Sequence, residues 1–374
     1  MKKSVKWILN VVMIALVVLL LIFLENNKSD QGMLISVLQK GAILAIVAVA
    51  MNLLNGFTGL FSLGQAGFMA IGAYTTAIFL IPVAAVDGVY YMNGINPGIK
   101  AFKEVIETAP SWLQACYPYL ALIVGGVFAA LFAALIGIPV LRLKSDYLAI
   151  ATLGFSEIIR ALLSSPQFDT ITNGSYGLNK IPGFSNLLIP FIIAGVCILL
   201  MILLIHSTYG RAFKAIREDE IAAEAMGINL FKHKEMSFVI SSFFTGVAGG
   251  MLAMFMRSIE AKTFSIALTY DILLIIVIGG IGSVTGSVLG AFLVTASKEW
   301  WLRFFDQPQT IFGWEVPLFR TGFRMVIFSI LLMVVVLFYR RGLMGTNEFS
   351  WDGIWNFIKK PFTKKKTAKG GAAQ

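Results

Sequence analysis

Apolar runs of about twenty residues recur along this chain, separated by short polar or glycine-rich stretches. They fall at 7–24, 34–54, 66–86, 117–141, 147–163, 187–205, 237–256 and 322–339. Each is close to the ~20 residues an α-helix needs to cross a hydrocarbon layer about 30 Å thick. The stretch 268–297 differs, because its centre, IGGIGSVTGSVLGA, interrupts the helical signal. If the basic C-terminal tail lies inside, 268–297 must begin and end on the outer side, as a re-entrant pair of half-helices or as two short spans. The pattern predicts an all-α polytopic transmembrane bundle of eight to ten membrane segments, with Gly-rich broken or re-entrant helices.

The N-terminal MKKSVKW and the apolar run after it resemble a secretory signal. The run exceeds a usual signal core, however, and LENNKSD offers no small-x-small cleavage site. The reading is an uncleaved first helix with its N-terminus inside. From that start, eighteen of the thirty Lys and Arg fall on the inner side. They include Lys2, Lys3, Lys6, Arg142, Lys144, Arg211, Lys214, Arg217, Lys232 and Lys234, with the rest in the tail, an asymmetry that matches the positive-inside rule.

Composition agrees. Hydrophobic residues make up 57% of the chain and charged ones 13%, with mean hydropathy +0.81, against about 25% charged in soluble domains. The net charge of +10 sits at the ends of spans and does not point to nucleic acid. Cys116 and the mid-span Cys197 form no disulfide framework. The chain divides into a membrane domain, 1–345, and a tail, 346–374. The domain carries an inner charged loop at 206–236 and outer loops at 87–116, 164–186 and 299–321. Trp300, Trp301, Phe304 and Phe305 are placed like an interfacial anchor. In the tail, Trp351, Ile354, Trp355 and Ile358 form a helical stripe ahead of a polybasic run ending at Lys369, an arrangement suited to the bilayer surface.

The inner loop contains GRAFKAIREDEIAAEAMGINLFKHK (210–234). Ala222, Ala223 and Ala225 favour helix, and Gly227 can end it. A polar helix over 212–228, set between two spans, is costly to order unless something docks on it. NGFTGLFSLGQAGFMAIGAY (55–74) holds Gly64 among its glycines, with Thr58, Ser62 and Gln65 as polar members. It allows either tight helix packing or a broken helix whose freed backbone lines a path at mid-depth. The segment 278–292, with Gly282 and Ser283, is similar. Glu157 and Arg160 are spaced for an ion pair, Lys40 can snorkel, and Asp271 can cap the Gly-rich hairpin. No G-x4-G-K-[ST] phosphate loop occurs, His206 and His233 make no ligand cluster, and no nucleophile–base pair is present. The reading is a non-enzyme with no metal site and no cofactor of its own.

The segments LLNGFTGLFSLGQAGFMAIGAY (53–74), LRLKSDYLAIATLGFSEIIR (141–160), GRAFKAIREDEIAAEAMGIN (210–229), GGIGSVTGSVLGAF (279–292) and RRGLMG (340–345) resemble the branched-chain amino-acid ABC-transporter permease family, specifically its LivM-like subunit. The resemblance implies a bacterial cell-membrane protein with both termini cytoplasmic. It also implies a heterodimer with a sister permease, two ABC ATPase subunits that use ATP and magnesium, and an external solute-binding protein. Substrate choice would then lie largely with that binding protein. The importer motif Glu-Ala-Ala-x3-Gly maps onto Ala222, Ala223 and Gly227. Its first position is Ile221 here, so Arg217, Glu218, Asp219 and Glu224 are the neighbouring candidates for ATPase contact. Thr58, Ser62, Gly64, Gln65, Gly282 and Ser283 are the candidates for the translocation path. A urea or short-amide permease resembles the same segments. An ATP-independent secondary transporter would lean on Glu157 and Asp271.

Overall fold

A computed structural model describes residues 3–27, 31–92, 94–143, 145–306, 310–311, 314–315, 322–338, 342–345 and 348. The tail stripe and its basic run lie outside these residues. The helices are α1 (Lys3–Asn26), α2 (Gly32–Asn52), α3 (Gln65–Leu80), α4 (Val83–Val89), α5 (Pro97–Glu107), α6 (Ser111–Val140) and α7 (Ser145–Leu163). They continue with α8 (Asp169–Thr172), α9 (Leu188–His206), α10 (Thr208–Glu218), α11 (Glu220–Ala225) and α12 (Leu230–Met256). The last are α13 (Ile266–Gly279), α14 (Val284–Glu299) and α15 (Phe323–Phe338). The strands described are two residues each, Thr310–Ile311 against Trp314–Glu315.

The long helices run up and down between two ends. One end carries the charged α10 and α11, and the other carries α4, α5 and α8. Among the described residues, five helices are long and apolar enough to cross a bilayer alone: Ile8–Asn26, Gly32–Thr58, Ser111–Val140, Leu188–His206 and Leu230–Met256. Bent pairs at Gln65–Leu80 with Val83–Val89 and at Tyr147–Leu163 with Pro166–Thr172 raise the figure to seven. The α13–α14 hairpin is built of two short helices of 14 and 16 residues. Its tip, 280–283, packs beside Gly56 at the charged end, while Glu299 pairs with Lys40 nearer the other.

The centre of the bundle is α2, α3, α6 and α12. Glycines bring three of them to backbone contact: a Cβ on Gly72 of α3 would collide with the Gly246 carbonyl of α12, and one on Gly125 of α6 would lie 2.8 Å from the Gly72 carbonyl. Small residues supply close dispersion contact where burial from water cannot drive helix association. The packing alternative for the Gly-rich 55–74 segment therefore holds for its helical half. The broken-helix alternative places the interruption elsewhere than expected: the chain departs from α-helix at 53–64, at the charged end of the bundle and not at mid-depth.

Other sequence expectations are corrected. The run 66–86 is cut at Ile81–Pro82, where the chain bends by 120°, because proline disfavours helix at the residue before it. The stretch 87–115, expected as a polar loop, folds into α4 and α5, with Pro97 in the first turn of α5 and Asn96 capping it. Helix α5 closes the bend: Lys103 Nζ donates to the Ile81 carbonyl at 2.9 Å, and Glu107 Oε1 accepts from Val83 N at 2.8 Å. Lys40 pairs with Glu299 at 2.6 Å, and Asp271 lies inside α13 and pairs with Lys298 at 2.6 Å instead of capping the hairpin. Glu157 and Arg160 pair as expected, at 2.7 Å.

Two outcomes test this packing. Gly72→Leu is expected to abolish the monodisperse folded peak in detergent size-exclusion, whereas Gly154→Ala, where a Cβ meets nothing within 4 Å, leaves it intact. Burial lowers the Lys103 ammonium to about 8, with Glu107 opposing that shift. A lowered folded value means that charging Lys103 opposes folding. That penalty is complete below about pH 8 and fades as pH rises toward the unfolded value of 10.5. Thermal unfolding should show Lys103→Met gaining on wild type more at pH 7 than at pH 10.

Candidate functional site

The charged segment folds as two helices, not one. Asp219, with extended backbone, separates them, and its Oδ1 accepts from Ile221 N at 2.8 Å and Ala222 N at 3.1 Å. A short carboxylate bonds nearby backbone N–H groups better outside a helix than within one, which starts a new helix at 220 and breaks the one expected over 212–228. Helix α11 ends as predicted at Gly227, in the left-handed conformation with φ +84. Gly227 N donates to Glu224 O at 2.9 Å and Ile228 N to Ala223 O at 3.1 Å, the paired bonds of a Schellman cap.

One face of this helical pair is buried and the other is bare. Phe213, Ile216 and Ala223 face inward, while Ala222, Glu224 and Gly227 are exposed. Ile221 and Met226 stand 81% and 84% exposed, large apolar groups on the six-residue α11 and at its C-cap. Lys234 of α12 pairs with Glu220 at 2.7 Å, which holds α11 to the bundle.

The inward contacts of α10 go to the irregular backbone after α2. Asn52 ends α2, and Leu53–Thr58 continues as a π-helix, whose widened turn presents its carbonyls differently from an α-helix. Arg217 Nη1 donates to Gly56 O at 2.8 Å, Lys214 Nζ lies 5.5 Å from the centre of the Phe57 ring, and Glu218 pairs with Arg217. Gly59, at φ +77, passes against the Arg217 side chain.

Asn52 is fully buried and grips the tip of the α13–α14 hairpin. Its Nδ2 donates to Ser283 O at 2.9 Å and Ser287 Oγ at 2.7 Å, while its Oδ1 accepts from Gly282 N at 2.8 Å. On the far side of that tip, the Glu348 carboxylate accepts from Val284 N at 2.7 Å and Thr285 N at 3.1 Å, an anion at a helix N-terminus. Leu343 N and Met344 N donate to Ile278 O and Gly279 O at 2.7 and 3.1 Å. Polar contacts thus tie Arg217 to the π-helix at Gly56, and Asn52, at the start of that π-helix, to the hairpin tip, which in turn bonds the segment after α15.

The six candidate path residues gather toward this same end, with polar atoms satisfied by protein. Thr58 Oγ1 donates to Leu53 O at 3.0 Å, and Ser62 N to Asn55 Oδ1 at 3.2 Å. Gln65 Oε1 accepts from Thr245 Oγ1 at 2.6 Å, and its Nε2 donates to Ser241 Oγ at 3.3 Å; Ser241 Oγ in turn donates to Ala50 O at 2.6 Å. Gly64 packs on Thr152, and Ser283 Oγ accepts from Gly286 N at 3.0 Å. Sequence reasoning missed Asn52, Ser241, Thr245 and Glu348. An amide closing the run AIVAVAMN, and Ser241 and Thr245 four apart on one helix face, were the available signals. No group of three or more His, Cys, Asp or Glu suited to a metal occurs among the described residues.

A family described as the permease component of branched-chain amino acid transport systems matches residues 33–338. The chain belongs to that family. It is 31% identical to the LivM high-affinity branched-chain amino acid permease of Escherichia coli K12, over 72% of its own length and 64% of that protein. The chain therefore spans slightly under two thirds of that relative. A probable LivM permease of Methanocaldococcus jannaschii is 23% identical over 80% of this chain and 89% of the relative. The LivH permease of Salmonella typhimurium is 22% identical over 82% and 93%. No solved structure matches. As a member of this permease family with several membrane-length apolar helices, the chain is an integral membrane protein.

The Asp219 cap has a direct readout. Asp219→Ala is expected to cost about 1 kcal/mol locally. It should speed amide hydrogen exchange over 220–226 while α12 exchanges as in wild type.

Proposed function

We propose that this chain is the membrane-spanning permease subunit of an ATP-binding-cassette importer for leucine, isoleucine and valine. In this reading it pairs with a sister permease, receives substrate from an external solute-binding protein, and is driven by two ATPase subunits docked on α10 and α11. Family membership and similarity to both LivM and LivH permeases support the class. The observation that carries the mechanism is the pairing of a bare, capped helix, α11, with an inward polar line through Arg217 and Asn52. In this reading the charged end faces the cytoplasm, which the Lys and Arg excess of the inner loop supports.

On this reading Ile221, Met226, Ala222, Glu224 and Gly227 form the surface that seats in the ATPase. ATP-driven closure of the ATPases shifts α10 and α11. Arg217 passes the shift to the π-helix through Gly56, and Asn52 passes it to the tip of the α13–α14 hairpin. A rigid lever is needed here, and the double cap of α11 together with the Glu220–Lys234 pair provides it. The chain itself contributes no nucleotide chemistry; ATP and magnesium act in the partner subunits.

Transport by the assembled importer in proteoliposomes tests this. Arg217→Ala and Asn52→Ala each remove hydrogen bonds to groups then left unsatisfied, about 1–3 kcal/mol apiece. Both variants should lower ATP-dependent leucine uptake about tenfold or more while the complex stays assembled and continues to hydrolyse ATP. Uptake at the wild-type rate in both would sink the lever. Uptake of urea in place of leucine, isoleucine and valine would move the substrate to the short-amide class.

A further inference from the structure

The end of the bundle remote from Arg217 holds a cavity of about 350 Å³ that the lever does not use. Its floor is one face of α2, where Met33, Ser36, Val37 and Lys40 recur at helical spacing. Phe255 at the end of α12 and Glu299 at the end of α14 close it. Lys40 Nζ donates to Glu299 Oε1 at 2.6 Å, and both side chains are about one third exposed, so the pair borders the cavity rather than being sealed from it.

Depth makes the pair informative. Lys40 lies eight residues into α2, about 12 Å from its start and about 18 Å from Asn52. An ionisable group kept within a membrane domain is costly unless paired, and is by default a candidate for a solute pathway. The composition of the cavity is equally specific. It offers one cation, one anion and a wall of Met33, Val37 and Phe255, the complement of a molecule with a carboxylate, an ammonium and a branched aliphatic chain.

We propose that this cavity is a binding site for the zwitterion of an aliphatic amino acid as it enters the bundle. Lys40 takes the carboxylate, Glu299 takes the ammonium, and the apolar wall takes the side chain. The zwitterion inserts between the two charges and substitutes for each as the other's partner. The exchange leaves the net charge of the site unchanged. The resting ion pair therefore holds the two groups ready without trapping substrate. This inference rests on the reading of the chain as an amino-acid importer.

The test uses the assembled importer in lipid nanodiscs without its solute-binding protein, with radiolabelled leucine as probe. Wild type should retain leucine, valine should displace it, and isocaproate and isoamylamine, which each lack one charge, should compete at least about tenfold more weakly, a factor worth about 1.4 kcal/mol. Lys40→Gln and Glu299→Gln should each weaken leucine binding by a similar factor. The charge swap Lys40→Glu with Glu299→Lys rebuilds the ion pair and should restore thermal stability. It should not restore binding, because a reversed zwitterion points its side chain away from Met33 and Val37. Unchanged binding in the two Gln variants, or full recovery in the swap, would overturn the proposal and leave the pair as a tether. Absence of leucine binding to wild type in phosphatidylglycerol nanodiscs, with phosphatidylethanolamine retained at the cavity instead, would overturn it too and assign the cavity to a lipid headgroup. Failure of wild type to import leucine with ATP would instead remove the importer reading.

Discussion

A backbone that leaves the α-helix inside an apolar bundle must find partners for its N–H and C=O groups within the protein, and here one buried amide supplies them. Asn52 satisfies the hairpin turn at Gly282 and Ser283 from the position where α2 gives way to a π-helix. Two irregular segments thus meet and share one side chain. Without it the hairpin turn would present unpaired polar groups where water is scarce, at a cost of several kcal/mol each. The placement of α10 follows from this junction, since Arg217 bonds the carbonyl that the π-turn frees at Gly56.

The two ends of the bundle are built on different principles. The charged end combines hydrogen bonds through Arg217 and Asn52 with the Lys234–Glu220 ion pair and presents Ile221 and Met226 outward. The opposite end is organised by ion pairs, Lys40 with Glu299 and Lys298 with Asp271, and by α5 stapling the Ile81–Pro82 bend. Adjacent residues of α14, Lys298 and Glu299, reach to different helices with opposite charge. The C-terminus of that single helix therefore fixes the spacing between α2 and α13.

Much of this was legible in the sequence. Hydropathy gave the long helices, because a run of twenty apolar residues has few other stable fates. Alanine content and Gly227 gave α11 and its end, because helix propensity and left-handed backbone are local properties. The break at Asp219 was harder to read, since the residue favours a cap or a helix surface depending on neighbours. Ile81–Pro82 carried a local signal that the apolar pattern outweighed. Lys40 and Asp271 were recognisable as costly charges, but their partners lie 259 and 27 residues away, and no spacing rule reaches that far. Asn52 was illegible for the same reason: its hydrogen bonds to Gly282, Ser283 and Ser287 exist only once α13 and α14 fold back on α2.

The glycine contacts among α3, α6 and α12 carry a mechanical consequence. Where Gly72 meets Gly246 and Gly125, main chain rests on main chain, with no side chain between them to change rotamer and absorb a displacement. These three helices shift together or not at all. Any compliance of the bundle is left to the hairpin and the helices around its rim.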